Sequence, residues 1–130
     1  MCCAAFDLSH REMRTFGGIY GPGYRILRSH ATACVQATQV GGTHPALVEA
    51  MGHGNAILAN DVPEHRETLG DAGLYYRGLG ELADQLQVLL DDSRLAGELR
   101  RRAYQRAGER FGWEAITDAY ETWLRSLVDG

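Results

Sequence analysis

Two adjacent glycines, Gly41 and Gly42, stand directly before Thr43-His44-Pro45 and an apolar, helix-forming run that holds one carboxylate, Glu49. A glycine-rich strand end leading at once into a helix presents free backbone N–H groups and the positive end of the helix dipole. That combination suits a phosphate or another anion. Glycine also lets the backbone approach a ligand where a Cβ would obstruct it. A plain tight turn fits the same pattern. Glu49 is flanked by Ala46, Leu47, Val48, Ala50 and Met51, so it occupies either a narrow solvated face or a cleft. Ionised, it can accept two hydrogen bonds at once, which suits the vicinal hydroxyls of a ribose.

Composition removes other chemistries. All 13 basic residues of the 130-residue chain are Arg. Without Lys there is no Walker-A phosphate loop, no Schiff-base lysine and no lysine general base. A formal net charge of -4 gives no electrostatic footprint for nucleic acid. The three cysteines show no C-x-x-C, nor do the histidines show H-x-x-x-H, so no metal is expected. Cys34, inside an apolar stretch, reads as a small hydrophobe. His10, His30, His53 and His65 are scattered, in no Ser–His–acid order, and read as surface or capping residues. No apolar run reaches the roughly 18–20 residues of a membrane span. Met1 to Phe6 lacks the features of a signal peptide, so a cytoplasmic protein is expected.

These residues need elements to position them. Short apolar runs alternate with helical segments, which is the pattern of an α/β domain with a parallel sheet. Strands are expected at Arg14–Ile19, Ala33–Thr38, Asn55–Asn60 and Gly73–Tyr76. Helices are expected at Tyr24–Ala31, His44–Gly52 (N-cap Thr43) and Pro63–Leu69, the last entered through an Asp61/Glu64 capping box. Three more are expected near Gly80–Leu90, Arg94–Phe111 and Trp113–Val128. Arg100, Arg101, Arg102, Arg106 and Arg110, with Glu98 and Glu109, read as a solvated helix face. Trp113, Ile116, Tyr120, Trp123, Leu124 and Leu127 recur at three- and four-residue steps, as a packing face does.

The run from Gly41 to Asn55 closely resembles the donor-binding segment of group 1 (family four) retaining glycosyltransferases. Within that group it is most similar to rhamnosyltransferase-like bacterial enzymes of polysaccharide synthesis. The resemblance continues through Asp61–Glu67 and Gly70–Tyr75, reaches upstream to Phe16–Tyr24, and downstream meets Phe111-Gly112-Trp113. It implies a Rossmann-like open parallel sheet with flanking helices, a truncated C-terminal lobe of the GT-B fold. Residues 14–130 would form this lobe and residues 1–13 a leftover segment. The implied substrate is a nucleotide diphosphate sugar, with no cofactor and no metal. Glu49 would hold the ribose hydroxyls, and Gly41, Gly42, Thr43 and His44 would face the sugar and diphosphate. Gly18, Ile19 and Tyr20 would meet the base through their main chain, and Glu67 would be structural.

The chain departs from the family pattern in three respects. Gly41 stands where the family usually has a second glutamate, with seven residues between it and the first. The basic pair that neutralises the diphosphate and the acceptor lobe lie in segments not present here. The expected function is therefore the donor-binding part of a larger or split enzyme, its acceptor lobe on another chain. The alternatives are a non-catalytic remnant and an interaction module. The family's doubly wound strand order, 3-2-1-4-5-6, also leaves two strands missing between Arg14–Ile19 and Ala33–Thr38. Either those two pair directly or an edge stays open, with Cys2–Phe6 a short substitute. An open edge and an uncovered last helix both lead to an expected homo-oligomer.

Overall fold

The computed structural model describes residues 2–7 and 12–128, with side chains from Gly17 onward; His10 lies outside the described residues. The chain divides into two compact units, Met1–His30 and Ala31–Gly130.

The first unit holds β1 (Cys2–Asp7), β2 (Glu12–Gly18) and α1 (Pro22–Ser29). β1 pairs with β2 antiparallel, with a register shift between Cys2 and Ala4. Cys2–Phe6 thus lies in a strand, as the short substitute considered from the sequence, β2 does not pair with β3, and the pairing with β1 is antiparallel. The reason is the connection: only residues 8–11 separate the strands, and a parallel pair needs a crossover of a dozen or more. β2 also begins at Glu12, ahead of the expected boundary at residue 14. α1 starts two residues earlier than expected because Pro22, with its fixed φ, takes its first turn. Exposed His30 caps its C-terminus, Nδ1 lying 3.0 Å from the Ile26 carbonyl.

The second unit is α/β, with β3 (Ala33–Gln36), β4 (Ala56–Asn60) and β5 (Leu74–Tyr76) forming a parallel sheet in the order β3-β4-β5. The crossovers carry α2 (Pro45–Gly52) and α3 (Pro63–Leu69). Three helices follow: α4 (Leu79–Asp91), α5 (Ser93–Phe111) and α6 (Trp113–Val128).

β4 is central and covered on both faces, which is why Ala56-Ile57-Leu58-Ala59 is an unbroken apolar run rather than an alternating one. Ile57 and Ala59 meet Leu47, Ala50 and Met51 of α2, Leu69 of α3, and Ala103 and Ala107 of α5. Ala56 and Leu58 meet Leu89 of α4 and Ala96 and Leu99 of α5 on the other face. α5 therefore serves both layers, its N-terminal half on one and its C-terminal half on the other. Half-buried Cys34 packs against the first cluster, as expected of a small hydrophobe.

The arginines of α5 do more than line a solvated face. Arg106 donates from Nε to the Thr68 carbonyl and from Nη2 to the Glu67 carbonyl, both at 2.8 Å. Arg110 adds 3.2 Å to Glu67 O, and Arg100 reaches Thr32 O at 2.7 Å. The carbonyls at the C-terminus of α3 have no partner within that helix, and a cation there also opposes the helix dipole. Gly70 ends α3 at φ 58°, and a Cβ there would lie 2.8 Å from Arg106 Cζ. Glycine is thus required twice, by conformation and by the guanidinium above it. No residue of α6 is buried. No described helix is long and apolar enough to cross a membrane.

Candidate functional site

The parallel register brings the C-terminal ends of the strands to one edge, since Gln36 stands beside Ala59 and Asn60 beside Tyr76. In open parallel sheets this is the edge at which ligands bind. β3 stops at Gln36, whose Nε2 donates to Thr38 Oγ1 at 2.9 Å, and an exposed run follows to Thr43.

Gly41 adopts φ 146°, a conformation that L side chains rarely enter, and a Cβ there would lie 2.6 Å from His44 Cε1. An L side chain at position 41 is therefore strained by the backbone. At Gly42 the space is open, with nothing within 4 Å of where a Cβ would stand. His44, in extended conformation, is the N-cap of α2, and Pro45 is the first helical residue. The expected cap was Thr43. Pro45 moves it by one, because the residue before proline is disfavoured in the helical region. The same effect at Val62-Pro63 makes Val62 the cap of α3 and removes the expected Asp61/Glu64 capping box.

No side chain caps α2. Leu47 N and Val48 N both turn to the His44 carbonyl, at 2.9 and 3.3 Å. Gly41, Gly42, Thr43 and His44 thus share one loop at the strand ends, and Glu49 follows one turn into α2. Glu49 is exposed, while Leu47, Ala50 and Met51 on the same helix are buried. Asn55 closes the other end of α2, its backbone N and its Nδ2 both donating to Ala50 O at 3.1 Å.

Gly18, Ile19 and Tyr20 belong to the first unit. There Tyr20 folds back, its Cε2 lying 3.0 Å from where a Gly18 Cβ would stand, and half-buried Ile19 packs toward Gly23. Tyr20 itself remains exposed.

Sequence reasoning missed two features. His65, read as a surface or capping residue, is completely buried on α3 beside Thr68 and Leu69. Its Nδ1 lies 2.8 Å from the Asn60 carbonyl, which only accepts, so Nδ1 is the donor. Its Nε2 is buried without a hydrogen-bond partner among the described residues. The His44 ring is its neighbour, with centroids 5.2 Å apart and planes tilted by 58°. The signal in the sequence was the i, i+3, i+4 spacing of His65, Thr68 and Leu69.

The second missed feature is a charge cluster at the same sheet edge. Asp61 accepts from Arg66 Nε on one oxygen and from Arg77 Nε, at 2.8 Å, on the other. The Arg66 and Arg77 guanidiniums hold the Asp61 carboxyl at about 2, below its ordinary 3.8. Arg66 also lies 4.3 Å over the Tyr75 ring, and Tyr75 donates its hydroxyl to Gly70 O at 2.6 Å. Burial pushes the Tyr75 phenol up. Glu81 joins the cluster, its Oε2 accepting from the Arg77 backbone N–H at 2.7 Å.

Surface concavities lie elsewhere, one around Asp92, Leu95, Glu98 and Arg101 and another around Gly112 and Trp113. Among the described residues no three His, Cys, Asp or Glu side chains group to hold a metal ion. No known protein family and no curated protein matches the chain.

Proposed function

We propose that this chain is the nucleotide-sugar-binding part of a retaining glycosyltransferase of the GT-B type, a Rossmann-like lobe acting within a larger or split cytoplasmic enzyme. The observation that carries the reading is the uncapped N-terminus of α2, entered through Gly41-Gly42 at the C-terminal edge of a parallel sheet. The Arg66 and Arg77 guanidiniums, paired with Asp61, stand at the same edge. In this reading the loop main chain at Gly42, Thr43 and His44 takes the diphosphate and sugar, and Glu49 takes the ribose hydroxyls.

Transfer itself depends on stabilising the departing diphosphate. A specific observation favours binding without transfer in the isolated chain: Gly41 occupies the place of the family's second glutamate in a conformation that no glutamate takes easily.

The test is a thermal-shift series with UDP, GDP, dTDP and their sugars. A ligand at a hundredfold excess over its Kd should add about 2.7 kcal/mol to stability. Glu49→Ala should remove most of that gain and leave the unliganded melting point unchanged, because the side chain is exposed. Absence of any shift across the series, or a large loss of intrinsic stability in Glu49→Ala, would sink the assignment.

A further inference from the structure

His65 occupies a place where packing alone would favour an apolar residue. It is completely buried, yet its Nε2 has no hydrogen-bond partner among the described residues. An orphaned buried polar atom costs stability that an apolar side chain of the same size would spare. Nor does the Asn60 carbonyl depend on His65, since Val62 N also donates there, at 2.8 Å. What the His65 ring does meet is the candidate loop, through the ring of His44, with centroids 5.2 Å apart. Its own orientation is fixed by the 2.8 Å bond from Nδ1 to Asn60 O, at the end of the central strand β4. On the loop, the Cε1 edge of half-buried His44 fills the room left by the missing Cβ of Gly41, 2.6 Å from where that atom would stand. The His44 main chain is held as well, because its carbonyl accepts from Leu47 N and Val48 N at the start of α2.

We propose that His65 is a positioning residue for the binding loop. Anchored to β4 through Asn60 O, its ring holds the His44 ring beside Gly41 and so fixes the course of the main chain from Gly41 to His44. This role rests on the reading of that loop as the contact for diphosphate and sugar. Gly42 and Thr43 are exposed, and nothing stands within 4 Å of a Cβ position at Gly42, so packing does not hold them. Their order comes from the fixed residues on either side. Main-chain donors stabilise an oxyanion only where they converge on it, and a loop free to turn loses that convergence. His65 itself touches no ligand, because its side chain has no exposed surface.

A double-mutant cycle on nucleotide affinity, together with spectra of the histidine rings, tests the role. UDP, GDP and dTDP are the probes, titrated well below the Tm of each variant so that lost stability does not enter. His65→Asn keeps an N–H at the place of Nδ1, and with it a donor for Asn60 O, but removes the part of the ring that meets His44. It should weaken the best-bound of the three roughly tenfold. In a His44→Ala background the same change should have little further effect, because the ring through which His65 acts is gone. Equal losses in both backgrounds, or no loss in the parent background, would overturn the proposal. Ligand-free spectra supply an arm that needs no binding. The parent should show cross-relaxation between the ring protons of His44 and His65. His65→Asn should move the His44 ring signals and lower the heteronuclear NOE of the Gly42 and Thr43 amides. A parent without that cross-relaxation, or a His44 ring and loop amides indifferent to His65→Asn, would overturn it equally. Should His65→Asn fail to fold, His44→Ala still reads the contact, and unmoved His65 ring signals there would refute it. A parent that binds none of the nucleotides would sink the functional reading, and the spectra would still decide the positioning.

Discussion

Replacing Arg106 by Ala isolates the joint between α5 and α3. The side chain supplies two bonds of 2.8 Å, to Thr68 O and Glu67 O. Their fates differ on truncation. Glu67 is exposed and its carbonyl keeps Arg110, so water and a second guanidinium cover the loss. Thr68 is only 3% exposed, so its carbonyl is left without a partner in a place that water reaches poorly. An orphaned buried acceptor of a charged donor costs about 2 kcal/mol, with the lost packing of the arginine stem included. For a chain of this size that lowers Tm by about 8 °C. Arg106→Lys should recover part of it, because one ammonium can reach one carbonyl but not grip two. Arg101→Ala is the control. Its guanidinium bonds to Glu98 and Gln105 on the exposed surface of the same helix, and its removal should leave the denaturation midpoint close to that of the parent. Denaturant unfolding of the three variants decides the matter. An Arg106→Ala chain as stable as Arg101→Ala would refute the view that α5 holds α3 through main-chain carbonyls.

Two more outcomes follow from packing and charge. Gly73→Ala should destabilise by about 1–3 kcal/mol, the usual cost of forcing a methyl into a filled core. Its Cβ would lie 2.4 Å from Leu69 Cδ2 and 2.8 Å from the Ile57 carbonyl of the central strand, which cannot shift. Gly42→Ala, into open space, should change stability by less than about 0.5 kcal/mol, and equal losses in urea would contradict the geometry. Acid titration tests the Asp61 pair: the carboxyl lies at about 2 in the folded chain against an ordinary 3.8. A depressed folded value means that its stabilisation is complete above pH 3.8 and fades as pH falls toward 2. Asp61→Asn should therefore melt below the parent at neutral pH and approach it near pH 2. A constant gap across that range would show that the ion pair is not the source.

The parallel sheet was legible because β4 is buried on both faces, so Asn55–Asn60 had to be an uninterrupted apolar run between turn signals. Helix starts were harder to read. Thr43 and Asp61 are strong capping residues, but Pro45 and Pro63 each force the preceding residue into extended backbone and take the cap away from them. Gly41 to His44 form one loop after β3, and exposed Glu49 follows one turn into α2. Cys2–Phe6 was read as a short substitute strand, but its antiparallel pairing with β2 was not, because reasoning from a family's strand order overlooked how few residues connect the two segments. His65 was missed for another reason. A histidine in a short polar-looking helix reads as solvated, and only the fold supplies the Asn60 carbonyl that makes it a buried neighbour of His44.

The arginines of α5 address oxygen atoms that every residue possesses. Arg106, Arg110 and Arg100 hold the carbonyls of Thr68, Glu67 and Thr32 and use none of those side chains. The joint is therefore indifferent to which residue occupies positions 67 and 32, and substitution there leaves the docking of α3 and of the segment before β3 intact. Both segments lead into or support strands whose far ends carry the candidate loop. Variation can accumulate in them over generations while the geometry at that edge is preserved, and the arginines, not their targets, are the positions where change is penalised.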